Sequence, residues 1–343
     1  MALGLILTSV LLAWLTYVVI EQPIRKISER KTFPFLIGLL LFVTLLALFV
    51  FLRDGLTDRA SLKKMKINEA QLVRLQDDPM DSHALCMKKF ELTGYVRFCN
   101  ISGADPKVAL IGDSHARAMY DGLAPYMRAR GESLANVGGR LFLGIDVYLK
   151  GSDFERNNNV GSQQATQMII ANQDIDHVVM FALGPAYISG RTDHVFELVG
   201  KPDVKDPLQI WEQGSRQTLT ALVAAGKKVT VVLNNPELTF DPRRCLSRGV
   251  SWTNQSHRSC TITHEEFVSR NETYRNLMTK ILADYPQVKK FDMAKYLCDK
   301  YYCYAEMDGV LLYRDDNHLS EAGALLMAPH LHEMIFSQQR DRF

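Results

Sequence analysis

The sequence predicts an α/β protein: two N-terminal transmembrane helices, then a three-layer α/β/α domain with a mostly parallel five-stranded sheet. Three observations lead there. Residues 2–20 and 35–52 carry no charged side chain, whereas almost all the charge of the 343-residue chain lies beyond Arg53. From Pro106 onward, short runs rich in Val, Ile and Leu alternate with amphipathic stretches, the pattern of parallel strands covered by helices on both faces. One of those apolar runs stops abruptly at Gly112-Asp113-Ser114, and an Asp315-Asp316-Asn317-His318 segment stands near the C-terminus.

About 20 apolar residues span a bilayer, so 2–20 and 35–52 read as membrane helices, the second near the lower length limit. No basic segment precedes the first and no small-residue cleavage site ends it, which argues against a cleaved secretion signal. A chain that opens inside such a helix is expected to be the C-terminal part of a longer membrane protein. Between the two helices Arg25, Lys26, Arg30 and Lys31 outnumber Glu21 and Glu29. Basic short loops stay in the cytoplasm, so the loop 22–34 is expected there and everything beyond Arg53 is expected to be exported. All six cysteines lie in that exported part. Pairs between sequence neighbours, Cys86–Cys99, Cys245–Cys260 and Cys298–Cys303, suit an oxidising compartment, and the spacings fit no usual zinc pattern, so no metal is expected. With a net charge of +2 and no long basic block, nothing points to nucleic acid.

Residues 1–53 thus form the membrane part and 54–104 a connector, in which 61–76 has helical composition and Asp77-Asp78-Pro79 breaks it. The connector's cysteine-bearing end is expected to pack on the domain that follows, 105–343. Within that domain the predicted strands are 107–111, 133–137, 177–183, 228–233 and 288–292. The predicted helices are 116–130, 208–225, 264–283 and 320–336.

In such sheets, sites form at the C-terminal strand ends, and Ser114 follows the first strand at that edge. Gly112 lets the chain turn sharply from strand to helix. The serine then sits at a helix N-terminus, where free N–H groups and the helix dipole favour developing negative charge. Taken alone, Ser114 reads as an ordinary helix cap. Asp315-x-x-His318 supplies what a cap does not need: an imidazole to activate the hydroxyl and a carboxylate to orient the imidazole. Asp316 is the competing carboxylate, with poorer reach because it is nearly adjacent to the histidine.

Gly112-Asp113-Ser114 and Asp315-Asp316-Asn317-His318 resemble the first and last motifs of the SGNH (GDSL-like) hydrolase family. The wider order is similar to the C-terminal part of bacterial acyltransferase family 3 proteins fused to SGNH domains. It comprises a helix ending in Glu21-Gln22-Pro23-Ile24-Arg25-Lys26, one more membrane helix, a cysteine-bearing connector and Asp-Asp-Asn-His-Leu-Ser320. The resemblance implies an O-acetyltransferase of the bacterial inner membrane with its SGNH domain in the periplasm. The acceptor would be a sugar hydroxyl of a surface polysaccharide such as lipopolysaccharide O-antigen. Ser114 would be the nucleophile, His318 the general base and Asp315 its orienting partner. Acetyl-CoA would be the ultimate donor, used by the upstream membrane domain, with no cofactor bound in this part of the chain. For the oxyanion hole the resemblance suggests the backbone of Ser114 and of Gly138 or Gly139. The family's third block, Gly-x-Asn-Asp, is replaced by Leu183-Gly184-Pro185-Ala186-Tyr187, so that donor stays open, with Asn234 and Asn235 at the end of the next strand as substitutes or simply as turn caps. A membrane-anchored carbohydrate esterase, with water as acceptor, is the alternative reading; a non-catalytic glycan-binding module is a third.

Overall fold

Val108, Ala109, Leu110 and Ile111 are all buried, and successive side chains serve opposite faces: Val108 and Leu110 join one core, Ala109 and Ile111 the other. A strand apolar on both faces belongs inside a sheet covered on both sides. That arrangement is present in the structure, a computed structural model. It describes residues 2–26, 29–52, 84–92, 96–138, 145–149, 153–190, 194–201, 203–245 and 260–337.

The strands in chain order are β1 (Phe98–Ile101), β2 (Val108–Gly112), β3 (Leu134–Gly138), β4 (Ile145–Leu149), β5 (His177–Phe181) and β6 (His194–Leu198). They continue with β7 (Lys228–Leu233), β8 (Thr261–Thr263), β9 (Lys289–Asp292) and β10 (Tyr302–Tyr304). Six of them form the main sheet in the order β1-β3-β2-β5-β7-β9. β3, β2, β5, β7 and β9 run parallel, and β1 lies antiparallel on β3. From β2 the chain passes to β3 on one side and later to β5 on the other. The C-terminal end of β2 is therefore the point where the winding reverses, and a crevice opens there.

The five predicted strands are β2, β3, β5, β7 and β9, so the expected five-stranded sheet is corrected to six. The added strand, β1, comes from the segment read as connector. It is a four-residue edge strand tied by the Cys86–Cys99 disulfide to the helix Ala84–Lys89, and a strand so short carries no periodic signal. The other two expected disulfides are also present, Cys245–Cys260 and Cys298–Cys303. The helix Asp153–Ala171 and the β4–β6 antiparallel pair were not foreseen. The helix contains Asn157-Asn158-Asn159, residues of poor helix propensity; the predicted helix 61–76 lies outside the described residues.

One face of the sheet is covered by the helices Pro207–Ala224 and His264–Ala283, which bury Trp211, Leu219, Tyr274 and Ile281 against Ala109 and Ile111. The other is covered by Ser114–Arg128 and Glu321–Phe336, which bury Met119, Leu123, Met327 and Leu331 against Val108 and Leu110. Side-chain caps start all four: Asp206, Thr263, Asp113 and Ser320 each accept a hydrogen bond from a first-turn N–H, satisfying donors the helix itself cannot.

The chain divides into two compact units, residues 1–66 and 67–343. In the first, the helix Ala2–Thr16 runs through a π-helical stretch, Tyr17–Glu21, into Gln22–Lys26, and Glu29–Leu52 forms a second helix. Among the described residues no helix is long and apolar enough to cross a membrane. Large apolar side chains nonetheless stand exposed along both, among them Trp14, Val19, Phe42, Leu45 and Phe51.

Gly122, in the helix Ser114–Arg128, fixes the relation of the two helices on the second face. A Cβ at Gly122 would come within 2.2 Å of the backbone at Ala324–Leu325, so the neighbouring helix can approach only a residue without one. Gly122→Ala should therefore destabilise the domain, by about 1–3 kcal/mol or more for overpacking against backbone, despite the ~1 kcal/mol that alanine gains in helix propensity. Denaturant unfolding checks this; an alanine variant as stable as the parent contradicts the packing.

Candidate active site

The site begins where β2 ends. Gly112 has φ +145°, and a Cβ on it would lie 1.8 Å from the Phe181 carbonyl oxygen. Only glycine fits the turn beside β5. Asp113 follows as a buried N-cap whose Oδ1 accepts from the His115 N–H at 2.8 Å. Its Oδ2 accepts from the Leu183 N–H at 2.9 Å, which ties the loop after β5 to the start of the helix. Burial raises the Asp113 pKa, opposed by these two backbone N–H groups. Leu183 has already left the sheet, so β5 ends at Phe181, earlier than the predicted strand.

Ser114 is the first helical residue, half-buried, and its Oγ lies 2.7 Å from His318 Nε2. His318 Nδ1 lies 2.8 Å from Asp315 Oδ2 and 3.1 Å from Oδ1. The three side chains thus form one continuous hydrogen-bonded chain. Its carboxylate is fixed by its own loop, since Asp315 Oδ1 also accepts from the backbone N–H groups of Asn317 (3.0 Å) and His318 (2.7 Å). Asp316 is exposed and accepts from Asn317 Nδ2 instead. The loop is latched from β7: Asn235 Nδ2 donates to the Asn317 carbonyl at 2.7 Å, and the Leu238 N–H donates to the Asp316 carbonyl at 2.6 Å. Ser320 then caps the last helix and also donates to the Leu311 carbonyl.

Of the expected oxyanion-hole groups, Gly138 ends β3 with φ +133°, beside the turn: a Cβ on it would lie 3.5 Å from the Gly112 carbonyl oxygen. Gly139 lies outside the described residues. Asn234 is buried and its Oδ1 accepts from the Gly184 N–H at 3.2 Å; its Nδ2 is buried with no hydrogen-bond partner among the described residues. Asp113–Leu183 and Asn234–Gly184 together anchor the segment after β5 at this sheet edge. Asn235, which the sequence offers with Asn234 as an oxyanion donor or a turn cap, instead latches the Asp315–His318 loop. Nothing in the sequence singles out His115 beyond its adjacency to Ser114.

A cavity of about 580 Å³ opens on the Asp315 side of the site, lined by Leu238, Thr239, Phe240, Asp241, Arg243, Arg270, Asp315 and Asp316. It touches the carboxylate end of the chain rather than Ser114. Among the described residues no cluster of three or more His, Cys, Asp or Glu side chains forms a metal-ligand set.

Fold and site define an α/β domain that carries a Ser–His–Asp hydrogen-bonded chain at the reversal point of its sheet. The family described as "SGNH domain (fused to AT3 domains)" matches residues 85–333. The chain belongs to that family, the SGNH domains of acyltransferase-3 fusion proteins. No curated protein matches it. Among solved structures, it is similar to the periplasmic domain of a Salmonella ser. Paratyphi A lipopolysaccharide acetyltransferase, at 14% identity and a TM-score of 0.50. That likeness covers 81% of this chain and 97% of that one. TesA is a more distant likeness, at 12% identity and a TM-score of 0.37 over 66% of this chain and 96% of that one.

Asp315 is pulled in two directions. Burial would raise its pKa, but the hydrogen bond and charge of His318, with the N–H groups of His318 and Asn317, outweigh it and hold the carboxyl well below its ordinary value. The side chain is 41% exposed, so solvent screens part of the effect. A carboxylate depressed in the folded state stabilises the fold above its unfolded pKa, about 3.9, and that contribution fades as pH falls through the lower folded value. The Tm gap between the parent and Asp315→Asn should hold steady from about pH 7 to 5 and shrink below about pH 4. A gap unchanged down to about pH 2 contradicts the assignment.

Proposed function

We propose that the domain transfers an acetyl group to a sugar hydroxyl of a cell-surface polysaccharide, with Ser114 as nucleophile, His318 as general base and Asp315 as its orienting partner. The observation that carries this reading is the unbroken chain Ser114 Oγ–His318 Nε2 and His318 Nδ1–Asp315 Oδ2. Ser114 Oγ attacks the acetyl carbonyl while its proton passes to His318 Nε2, and the donor's leaving group departs with that proton. The imidazolium formed in between is stabilised by Asp315. The acceptor hydroxyl then gives its proton to His318 and attacks the acetyl-serine, and Ser114 recovers a proton from the imidazolium. The Ser114 and Gly138 backbones and the unpartnered Asn234 amide are the proposed oxyanion donors; each such donor is worth about 100-fold or more in rate.

The polar cavity beside Asp315, with one aromatic ring at Phe240, suits a hydroxyl-rich acceptor. In this reading the acetyl group starts on acetyl-CoA on the cytoplasmic side and reaches Ser114 through an acyltransferase membrane domain. The two apolar N-terminal helices would complete that domain in the inner membrane. Their support is the charge-free run at 35–52, and the apolar run that continues past Thr16 through the π-helical stretch. The three disulfides support a periplasmic location. Water in place of the sugar would give an esterase. Turnover of an acetyl ester by the full-length protein, with and without polysaccharide, separates the two: acceptor-dependent acetylation supports transfer, and hydrolysis indifferent to acceptor supports the esterase.

Ser114→Ala and His318→Ala should each lower acetylation of surface polysaccharide by roughly a thousandfold or more, and the double variant should be no worse, because the two act as one proton-transfer unit. Asp315→Asn should also be severe, since it lets the imidazole take the wrong tautomer, whereas Asp316→Asn should be mild. Near-normal acetylation in cells carrying Ser114→Ala would sink the nucleophile reading and leave the domain a positioning module.

A further inference from the structure

His115 is buried, 1% exposed, and stands face to face with His318: the ring centroids are 4.6 Å apart and the planes 29° from parallel. It is held from behind and below. The Phe181 ring meets it edge-on at 5.5 Å, and its backbone N–H is fixed on Asp113. The imidazole of His115 therefore forms a rigid wall against one face of His318.

The two hydrogen bonds of His318 leave from Nδ1 and Nε2. Both lie in the ring plane and close to one line across it. They set where the ring sits but resist tilting about that line only weakly, and the terminal torsion of a histidine has a broad well. A flat ring packed on the face removes that freedom. The need is greatest once Ser114 is acylated, because its Oγ then has no proton to offer Nε2. Asp315 and the stack alone would hold His318 for the second half-reaction.

The same packing has an electrostatic side. Burial, with the charge of His318 adding to it, keeps the His115 pKa well below its ordinary value. A position in the first turn of a helix also disfavours a cation. His115 thus stays neutral while His318 takes and returns a proton; a second positive ring at stacking distance would oppose that proton.

We infer that His115 is a positioning residue, whose ring face holds His318 in the plane that aims Nε2 at the nucleophile and, after acylation, at the acceptor. The inference rests on the reading of Ser114 and His318 given above. The test compares His115→Phe with His115→Leu in the full-length protein, using a chromogenic acetyl ester and measuring kcat, KM and the pre-steady-state burst. Both replacements fill the buried space with an apolar group, but only phenylalanine presents a flat face. The Phe variant should keep kcat within about threefold of the parent, and the Leu variant should lose about 10- to 100-fold in kcat with KM nearly unchanged. The Leu variant should also show a larger burst, as acetyl-serine waits for a poorly aimed base. If the Leu variant does not fold, methionine, which adapts to irregular space, takes its place as the non-planar member.

Equal kcat values for the Phe and non-planar variants, whether both high or both low, overturn the positioning role while Ser114-dependent turnover stands. Parent turnover that survives Ser114→Ala, or is absent, overturns the underlying reading instead.

Discussion

The missing side chain of Gly122 lets the helix that begins at Ser114 lie against the backbone of the helix that follows His318. The candidate nucleophile and base are far apart in sequence and belong to the two ends of the domain. They meet because their helices share one face of the sheet and touch at near-backbone distance. Gly323 repeats the device one step away: a Cβ there would lie 2.1 Å from the Leu312 carbonyl oxygen. That closeness seats the last helix on the segment that leads into Asp315. Hydrogen bonds of 2.7–2.8 Å tolerate little displacement, so the geometry of the site is set by helix packing before any polar group is placed.

Polar contacts then refine what packing brings together. Asp113 points away from the chemistry, bonded to the N–H groups of His115 and Leu183, and so joins the loops after β2 and β5. Asn235 and the Leu238 N–H, both just after β7, do the same for the Asp315–His318 loop. The loops after β2 and β5 are therefore held to each other, and the Asp315–His318 loop is held to the segment after β7. The Asp-x-x-His spacing works because Asp315 accepts from the backbone of Asn317 and His318 and faces the His318 ring with the same carboxylate. Asp316, one residue nearer the histidine, reaches no such position.

Much of this was legible in the sequence. Five strands and four helices could be placed because both-face burial in β2, β3, β5 and β7 leaves largely apolar runs, with β9, which buries only Phe291, the weakest of the five, and the sheet edge could be inferred from their order. Ser114, His318 and Asp315 were legible because a glycine turn, a serine and an Asp-x-x-His have few joint uses. What escaped has little local signature. β1 is four residues long and depends on a disulfide and on β3. The helix Asp153–Ala171 is written partly in asparagine. The bond by which the Asn234 carbonyl oxygen holds the Gly184 N–H is set entirely by tertiary packing. His115 carries no local signature, because its stack on His318 depends on the return of the chain at residue 318.

The claim on which the rest turns is that Ser114 is an activated nucleophile, and reaction of the full-length protein with a fluorophosphonate, followed by peptide mass spectrometry, tests it without knowledge of donor or acceptor. The account predicts a single dominant adduct on Ser114, formed far more slowly when His318 is replaced by alanine. An adduct on another serine, or labelling of Ser114 at the same rate without His318, would contradict it.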